Sequence, residues 1–519
     1  MPLPTTDQEW PPPAIRPEMR LYNQWGAWYS GSPERLAEVY GAGVSPGIGL
    51  DLKGWDRPLR AGGVMGRVVR WFWAAPTPAG QSRSTKLHVP IAGDIAATSA
   101  DLLFSEPPTL KVPGKKGQAR LDKILHEAGI YGGLLEAAEL GAAYGGVYLR
   151  IGWDTGVDHP VFDALPADAG IPEFSSGRLA AVTFHRVVRD EDRQVWRHLE
   201  CHEKGRVYHG LYMGDEDHLG QQVPLEDHPA TAHFAPQVDA EGGFDSGYER
   251  GLLVHYVPNM RPHRLLRGTS LGRSDYSGVE PLMDALDETW TSWMRDLRLA
   301  KARVIVPEVY LQNTGRGRGS MWDPDREIYS GLGMLPPPGG GSNMITMSQF
   351  AIRVQEHSDT AQSLIAQILR GSGYSVQSFG EGGDGQAQTA TEIHMQRHRS
   401  YSTRGRKVGY WTPALSWLSE VLLAVDHHIY GSKVSAEKAT VAWPDGVMPD
   451  PESLSRTLDM LVRAQSVSLD TRIRMLHPEW DADQVQAEKE RLRDEMGLNV
   501  PDPAELAEAF IPSASGDDD

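Results

Sequence analysis

The stretch Gly278-Val-Glu-Pro-Leu-Met-Asp-Ala-Leu-Asp-Glu-Thr-Trp-Thr-Ser-Trp-Met-Arg-Asp-Leu-Arg-Leu-Ala-Lys-Ala-Arg303 decides how the chain on either side of it is arranged. Its apolar residues recur at spacings of three and four, which predicts one long amphipathic helix. They are Val279, Leu282, Met283, Leu286, Trp290, Trp293 and Leu297. Acidic residues crowd the first half and basic residues the last part, an order that complements the helix dipole. We interpret the acidic residues as the solvated face of this helix.

The chain after this helix alternates between glycine-rich segments and further helices. A β-branched run at 304–306 predicts a strand, and a segment rich in Gly and Pro follows to about 343. Apolar spacing predicts a helix over 358–369. Thr389 and Glu392 have the spacing of a capping box and begin a long helical region to about Tyr430. Pro413 inside it is expected to kink or break the helix. Three short helices are predicted over 452–465, 471–477 and 482–496.

The chain before this helix mixes helices and strands. An apolar stripe predicts a helix that ends at Phe104, and another helix is predicted over 119–143. Alternating residues predict strands at 146–153, 181–188, 194–201, 206–213 and 252–258. Residues 1–60 are rich in Pro and Gly and are interpreted as an irregular N-terminal arm. The expected fold class is α+β and mostly helical.

Composition and charge restrict the possible functions. The 519 residues carry a net charge of −18, and residues 446–519 hold 17 acidic and 7 basic side chains. This acidity argues against tight static DNA binding, although DNA could still slide past such a surface. With Cys201 alone there is no intrachain disulfide, and no signal peptide or membrane-spanning stretch is recognised, so we expect a soluble protein without a membrane anchor. The fifteen tryptophans fit either a well-filled core or contacts between subunits.

Motifs for chemistry are weak, and we expect no catalytic residue, no metal and no cofactor. Gly268-Thr-Ser-Leu-Gly272 matches the nucleophile elbow of serine hydrolases, which makes hydrolysis at Ser270 one alternative function. That elbow needs a strand directly before it and a helix directly after it, and the sequence predicts neither. No phosphate-binding loop of the Walker type is present. His198, Cys201 and His202 lie on one predicted strand, but they lack further ligands for zinc.

Two basic clusters leave their role open. Arg316 and Arg318 stand among glycines, as a solubilising loop or as a contact for DNA or an acidic partner. A second run has aromatic residues interleaved with it, which suits either a DNA surface or helix packing with salt bridges between subunits. It comprises Arg397, Arg399, Arg404, Arg406 and Lys407, with Tyr401, Tyr410 and Trp411. A non-viral helical scaffold or adaptor is a further alternative function.

Four blocks in this order resemble portal proteins of long-tailed, siphovirus-type double-stranded-DNA phages. They are Ala92-Gly-Asp-Ile-Ala-Ala-Thr-Ser-Ala-Asp-Leu-Leu-Phe-Ser-Glu106, Gly272-Arg-Ser-Asp-Tyr-Ser-Gly-Val-Glu-Pro-Leu-Met-Asp-Ala-Leu-Asp-Glu288, Thr389-Ala-Thr-Glu-Ile393, and Ser466-Val-Ser-Leu-Asp-Thr471 with Asp481 to Gly497. The resemblance covers roughly residues 85 to 497. It implies a ring, usually of twelve subunits, at the capsid vertex through which DNA is packaged and ejected.

The resemblance also implies a division of the chain into named regions. These are an arm (1–60), a wing (61–277 and 389–445), stem helices (278–303 and 355–372), a clip (304–354), a tunnel loop (373–388), and a crown with an acidic tail (446–519). In this chain the tunnel loop is unusually rich in glycine, at Gly380-Glu-Gly-Gly-Asp-Gly385. Such a composition argues against a rigid grip on DNA.

Site residues and partners follow from the same resemblance. The tunnel-loop residues that would face DNA are Ser378, Phe379, Gly380, Glu381, Asp384 and Gln386. The stem residues that would line the channel are Arg295, Arg298 and Lys301, and the clip residues are Arg316, Arg318 and Trp322. The implied partners are other copies of the chain in a homododecamer, double-stranded DNA bound without sequence preference, the terminase large subunit, a head–tail adaptor, and the major capsid and scaffolding proteins, with no membrane. The implied location is the portal vertex of the virion, and the host cytoplasm during assembly.

Overall fold

The fold combines helices with several antiparallel sheets, so the expected α+β class is confirmed. The computed structural model describes residues 3–41, 87–299, 303–305, 312–313, 320–321, 346–348, 353–379, 390–444 and 451–495, except positions 6, 155, 192, 193, 465, 478, 479 and 481. Two compact units are present. The first comprises Met1–Asp384 and Gln396–Pro444, and the second Gly385–Met395 and Asp445–Asp519. In these ranges no helix is both long and apolar enough to cross a membrane.

Eleven α-helices lie in the part of the chain that the structure describes. They are α1 (Arg16–Ser30), α2 (Pro33–Gly41), α3 (Ile91–Phe104), α4 (Lys115–Glu127), α5 (Ile130–Tyr144), α6 (Glu280–Leu299), α7 (Val354–Ser372), α8 (Ala390–Tyr430), α9 (Pro451–Arg463), α10 (Leu469–Leu476) and α11 (Ala482–Glu495). The helices predicted around 278–303, 358–369 and 389–430 are therefore confirmed, as are the three short helices after 450. The predicted helix 119–143 is two helices, because Gly129 adopts a left-handed backbone with φ of 61° between α4 and α5.

The strands form one large sheet and four small ones. They are β1 (Thr109–Lys111), β2 (Gly146–Gly152), β3 (Val161–Pro166), β4 (Gly170–Ser175), β5 (Arg178–Glu191), β6 (Gln194–Glu203), β7 (Arg206–Gly214), β8 (Gln221–Val223), β9 (Gly243–Asp245), β10 (Val254–Pro258), β11 (Arg303–Ile305), β12 (Gln312–Asn313), β13 (Ser320–Met321), β14 (Thr346–Ser348) and β15 (Thr440–Ala442). The large sheet has the order β4-β5-β6-β7-β8, with β9 also paired to β7. A three-stranded sheet has the order β10-β2-β3, and β1–β15, β11–β14 and β12–β13 are pairs. All five strands predicted from alternation are present.

The first unit has a continuous apolar interior around α5, α8 and β2. Leu121 and Ile124 of α4 meet Leu415 and Leu418 of α8 in one cluster of buried side chains. Each fully buried side chain of this kind contributes roughly 1.5–3 kcal/mol. Pro413 was expected to kink or break α8, but the helix continues through it. The burial of its neighbours explains why. A proline inside a helix costs about 3 kcal/mol, and the buried residues on both sides of it offset that cost.

The irregular arm expected over residues 1–60 is wrong for residues 16–41, which form α1 and α2. Trp25 and Trp28 of α1 are fully buried and pack in one cluster with Tyr276 and with Met283 of α6. Their indole rings remove large apolar areas from water, and that gain outweighs the low helix propensity suggested by the surrounding Pro and Gly. Of the two interpretations of the many tryptophans, a well-filled core and contacts between subunits, these two residues fit the core of the same chain.

The second unit contains α9, α10 and α11. Ser468 begins α10 as an N-cap, because its hydroxyl oxygen accepts a hydrogen bond from the backbone N–H of Thr471. Ile473 and Val485 are buried between α10 and α11, whereas Met460 of α9 is largely exposed. This unit is a small helical assembly with one modest apolar centre.

Buried histidines make the large sheet sensitive to acid. His198 on β6 and His209 on β7 are hydrogen-bonded ring to ring at 3.0 Å, and His209 stacks on Phe234 with ring centroids 4.0 Å apart. Burial lowers the pKa of His198 to about 4 and that of His209 to about 3 from the ordinary value of 6.5. A neutral buried histidine stabilises the fold above the pKa of the unfolded chain, and that stability is lost as the pH falls through the folded pKa.

We therefore expect the unfolding temperature to fall steadily between pH 6.5 and pH 4, as measured by differential scanning fluorimetry. His209→Phe keeps an aromatic ring in the stack and removes one titrating group, so its pH dependence is expected to be shallower. His126→Gln, at an exposed position on α4, is the control and should behave like the unchanged protein. An unfolding temperature that is the same at pH 6.5 and pH 4 would contradict this explanation.

Candidate functional site: the helical hairpin and its buried junction

Helices α6 and α7 lie antiparallel and are here called the helical hairpin. Near the end of α6, the Asp296 carboxylate is 3.0 Å from His357 Nε2 at the beginning of α7. At the opposite end, a Cβ atom on Gly371 would lie 2.4 Å from Val279 Cγ1, so a larger residue there would force the helices apart. Strands β11 and β14 pair directly beyond the Asp296 end. The chain therefore leaves α6 and returns to α7 side by side.

The other end of the helical hairpin is held by buried acidic groups. Glu280 accepts hydrogen bonds from Trp25 Nε1 at 3.1 Å and from the Gly278 backbone N–H at 2.6 Å. Asp287 accepts from the Val89 N–H at 2.8 Å and contacts His88 Nδ1 at 2.7 Å. The expectation that the acidic residues of this helix form a solvated face is wrong for these two, because donors from distant segments satisfy their oxygens inside the protein.

Asp275, just before the helical hairpin, is the centre of a buried polar network that we call the Asp275 junction. Its Oδ2 accepts hydrogen bonds from Lys407 Nζ at 2.5 Å and from the Tyr374 hydroxyl at 2.7 Å. Its Oδ1 accepts from Asn259 Nδ2 at 2.8 Å, and Lys407 also donates to the Ser99 hydroxyl at 2.5 Å. One carboxylate thus connects the loop after β10, helix α3, the end of α7 and helix α8.

The two opposite charges at the Asp275 junction are paired and almost completely shielded from solvent. Lys407 and Asp275 each retain only 2% of their accessible surface. Burial lowers the pKa of Lys407, and the adjacent Asp275 carboxylate opposes that change. The pKa of Tyr374 is raised well above its usual range by burial and then by Asp275. Every polar group here depends on its partners, since a charge left alone in such surroundings is very unfavourable.

The backbone around the junction allows only glycine at two positions. A Cβ on Gly272 would lie 2.1 Å from the carbonyl oxygen of Gly145. A Cβ on Gly145, whose φ is 82°, would lie 2.8 Å from the backbone of Arg273. This close approach explains the glycine in the Gly272-Arg-Ser-Asp275 motif, because it brings the Asp275 backbone N–H to the carbonyl of Ala142 at 3.0 Å.

Residues 373–379, which follow the helical hairpin, are fastened to α8 by hydroxyl groups. The Thr403 hydroxyl donates to the carbonyl of Gly373 at 2.6 Å. The Ser400 hydroxyl accepts from the Ser375 N–H at 3.0 Å and lies 2.8 Å from the Ser378 hydroxyl. Of the predicted tunnel-loop residues, Ser378 and Phe379 thus lie at this anchored beginning. Gly380, Glu381, Asp384 and Gln386 lie outside the described residues.

The remaining predicted channel and clip residues are only partly described. Arg295 is exposed near the end of α6, and Arg298 lies in the same helix. Lys301, Arg316, Arg318 and Trp322 lie outside the described residues. Their roles stay predictions.

Two arginines of the basic run on α8 and one of its interleaved aromatic residues contribute to helix packing. Arg399 donates to the carbonyl of Arg370 at 2.6 Å, and Arg404 donates to the carbonyls of Leu102 and Pro444. Trp411 is buried, with its ring 4.9 Å from that of Phe104. Helix packing with salt bridges was one interpretation of this run, and for Lys407 the partner is Asp275 of the same chain. Ser400, Thr403 and Lys407 follow helical spacing and share one face of α8.

The structure does not build the enzyme site that the sequence motif suggested. Ser270 lies in the connection between β10, which ends at Pro258, and α6, which begins at Glu280, so neither flanking element of a nucleophile elbow is present. Within the described ranges, no histidine is hydrogen-bonded to Ser270. His198 and His202 contact His209 and Glu200 respectively, and no group of ligands suited to a metal ion is found among the described residues.

Replacing Lys407 by methionine is expected to lower the free energy of unfolding by about 3–5 kcal/mol, because it leaves the Asp275 carboxylate buried without its cation. Urea titration followed by tryptophan fluorescence measures the change. Adding Asp275→Asn to Lys407→Met should restore part of the stability. The matched control is Lys123→Met at an exposed pair with Glu127, expected to change stability by no more than about 0.5 kcal/mol. Equal losses for both single variants would show that the junction is not a special constraint.

Comparison with known proteins gives one family and several distant structures. No curated protein matches the sequence. A chain from the virion of a native gene transfer agent particle is 12% identical with a TM-score of 0.37, over 80% of this chain and 99% of that chain. Chains from the neck of the empty particle (C6 symmetry) and of the native particle (C12 symmetry) are 10% and 12% identical, with TM-scores of 0.38 and 0.36. They cover 78% and 82% of this chain, and 94% and 99% of their own.

Residues 80–497 match the family described as phage portal protein, SPP1 Gp6-like. The match spans both sides of the Asp275 junction, the helical hairpin, α8 and the helices after residue 450. It also agrees with the extent of the resemblance seen in the sequence, roughly residues 85 to 497. Because most of the chain is included, this protein belongs to the SPP1 Gp6-like family of phage portal proteins.

Proposed function

We propose that the chain is one subunit of a portal ring through which double-stranded DNA enters and leaves a viral head. Membership of the portal family over residues 80–497 is the observation that carries this proposal. In the ring, usually of twelve subunits, residues 278–303 and 355–372 are the stem, 304–354 the clip and 373–388 the tunnel loop. The wing is 61–277 with 389–445, and the crown is 446–519.

The helical hairpin has the properties that a stem requires. It must hold its shape while a long polymer moves past it, so both of its ends need fixed positions. The Asp296–His357 contact fixes one end, and Glu280, Asp287 and the Asp275 junction fix the other. The paired strands β11 and β14 extend from the first of these ends, which supports the assignment of the clip to residues 304–354.

The attachment of residues 373–379 to α8 supports the assignment of the tunnel loop. Both flanks of the segment 380–389 belong to described elements, the anchored residues ending at Phe379 and the helix beginning at Ala390. The segment itself contains Gly380, Gly382, Gly383 and Gly385 together with two carboxylates. Glycine imposes little conformational preference, so this composition does not favour a rigid grip on DNA.

Charge favours passage of DNA over retention of it. Phosphate contacts made by Lys and Arg release counterions and bind DNA tightly, whereas carboxylates repel the duplex. Each copy has a net charge of −18, and the tunnel-loop segment carries Glu381 and Asp384 without a basic residue. Basic residues near the end of α6, such as Arg295 and Arg298, then act as weak and repeated phosphate contacts. Work for translocation comes from a separate ATPase.

The proposed partners follow from the place of a portal in a particle. The clip, with Arg316, Arg318 and Trp322, docks the terminase large subunit during packaging and a head–tail adaptor afterwards. The major capsid and scaffolding proteins surround the ring at the portal vertex. The subunits assemble in the host cytoplasm and remain in the virion.

Negative-stain electron microscopy of the purified protein tests the proposal directly. We expect rings with a central hole and cyclic symmetry. Particles without a hole, or a protein that stays monomeric at micromolar concentration, would contradict the portal assignment. An ester-hydrolysis assay of the same sample, compared with Ser270→Ala, covers the alternative enzyme function, and we expect no difference between the two.

Changing both Glu381 and Asp384 to lysine is expected to slow or stall DNA passage while rings still assemble, because the constriction then attracts phosphates. An in vitro packaging assay measures the DNA length protected from nuclease per unit time. The matched control is Glu216→Lys with Asp217→Lys, an equal change of charge at exposed positions between β7 and β8. Packaging at the normal rate by the first variant would contradict the tunnel-loop assignment.

A further inference from the structure

A basic loop lies in the first unit, between β10 and α6. Residues 261–272 form a connection whose two ends meet at a bridge between Met260 and Arg273. It carries Arg261, Arg264 and Arg267, all exposed, and the sequence has no acidic residue between Glu249 and Asp275. In a chain with a net charge of −18, such a stretch is a local reversal of sign.

Two further arginines bring the cluster to five. Arg406 is exposed on α8, and the guanidinium of Arg273 lies near those of Arg264 and Arg406. Burial lowers the pKa of Arg273, with the positive charge of Arg264 adding to this effect, while Asp275 opposes it. The nearby Asp275 carboxylate already binds Lys407. Among the described residues, these five arginines have no ion-pair partner, and the buried Nε of Arg273 has no hydrogen-bond acceptor.

Two other partly buried arginines in the described ranges are paired with carboxylates, whereas Arg273 is not. Arg120 contacts Asp426 at 2.5 Å, and Arg150 contacts Glu200 at 2.8 Å. Neighbouring like charges without a counterion raise the free energy of the folded chain. An anionic group that binds here supplies the missing counter-charge and lowers that electrostatic free energy.

A cavity opens at the cluster and suits a few carboxylate side chains. Its volume is about 540 Å³, and it is lined by Arg261, Pro262, His263, Arg267, Gly268, Thr269 and Tyr410. None of these lining residues is acidic. Arginine donates from a planar fork that matches a carboxylate with two hydrogen bonds, and the Thr269 and Tyr410 side chains add hydroxyl groups. We call this cavity, with Arg261 and Arg267 in its lining and Arg264, Arg273 and Arg406 nearby, the arginine pocket.

The chain itself contains a segment of complementary charge. After Arg493 there is no Lys or Arg, and eight carboxylate side chains follow. They are Asp494, Glu495, Asp502, Glu505, Glu508, Asp517, Asp518 and Asp519.

We propose that the arginine pocket binds the acidic segment 494–519 of a second copy of this chain, an inference that rests on the proposed ring. Identical subunits in a ring meet through two different surfaces, so a basic patch on one copy can face an acidic segment of the next. Copies that each carry −18 repel one another, and an opposite-charge contact at every interface offsets that repulsion. Arginines gathered to bind DNA would instead hold the duplex that the ring must let pass.

Photo-crosslinking tests this pairing in the full-length protein. p-Benzoylphenylalanine replaces Leu265, which is 40% exposed between Arg264 and Arg267. Unlabelled and ¹⁵N-labelled chains are purified separately, mixed before assembly and irradiated, and crosslinked peptides are identified by mass spectrometry. We expect mixed-isotope crosslinks from the loop to residues after Arg493. Crosslinks to another segment, or within one isotope only, would overturn the inference.

Charge reversal adds a second readout. Arg264→Glu, Arg267→Glu and Arg406→Glu together should reduce the crosslink yield at least about tenfold, since like charges then face each other. Lys115→Glu, Lys116→Glu and Arg178→Glu, all exposed, make an equal change of charge elsewhere and should leave the yield unchanged. Subunits carrying Asp502→Lys, Glu505→Lys and Glu508→Lys should restore crosslinking to the reversed pocket, and failure of this rescue would count against direct pairing.

Electron microscopy of the same samples separates this inference from the proposed function. Rings without mixed-isotope crosslinks would overturn the arginine pocket alone. A protein that forms neither rings nor crosslinks would overturn both.

Discussion

The carboxylate of Asp275 joins the helical hairpin to three other segments of the first unit, and the remaining architecture depends on this contact. It accepts hydrogen bonds from Lys407, Tyr374 and Asn259, which lie on three different segments of the chain. Removal of any one donor leaves a buried charge less well solvated, so the segments must arrive together. This requirement gives one defined geometry to a place where several helices would otherwise pack with little directional preference.

Charged residues play different parts in the interior of the protein and on its surface. Inside, acidic groups such as Glu280 and Asp287 are held by donors from distant parts of the chain. The chain as a whole carries a net charge of −18, and the arginine pocket is a local exception to it. In the proposed ring, an acidic subunit with this basic recess contacts its neighbours by charge and does not retain DNA.

Local pattern predicted most helices and strands because apolar periodicity survives into the core. The helices α6, α7, α8 and the three after residue 450, and the strands β2, β5, β6, β7 and β10, all follow the sequence pattern. Failures came where burial outweighed local preference. Residues 16–41 were expected to be irregular, yet Trp25 and Trp28 gain more from burial than the flanking Pro and Gly residues cost. Pro413 remains inside α8 for the same reason.

The sequence alone determined the fold class, the order of the elements, the family resemblance and the absence of a Walker-type phosphate loop, because these depend on spacing and residue type within short windows. Only the tertiary structure decided which charged residues are buried and with whom. Lys407 belonged to a basic run that suited either a DNA surface or helix packing with salt bridges between subunits, and its partner lies in the same chain, 132 residues away. Likewise, Arg273 and Arg406 come near one another only because the loop after β10 lies beside α8. Pairings between residues so far apart in the sequence depend on three-dimensional packing, and the local periodicity of the sequence does not predict them.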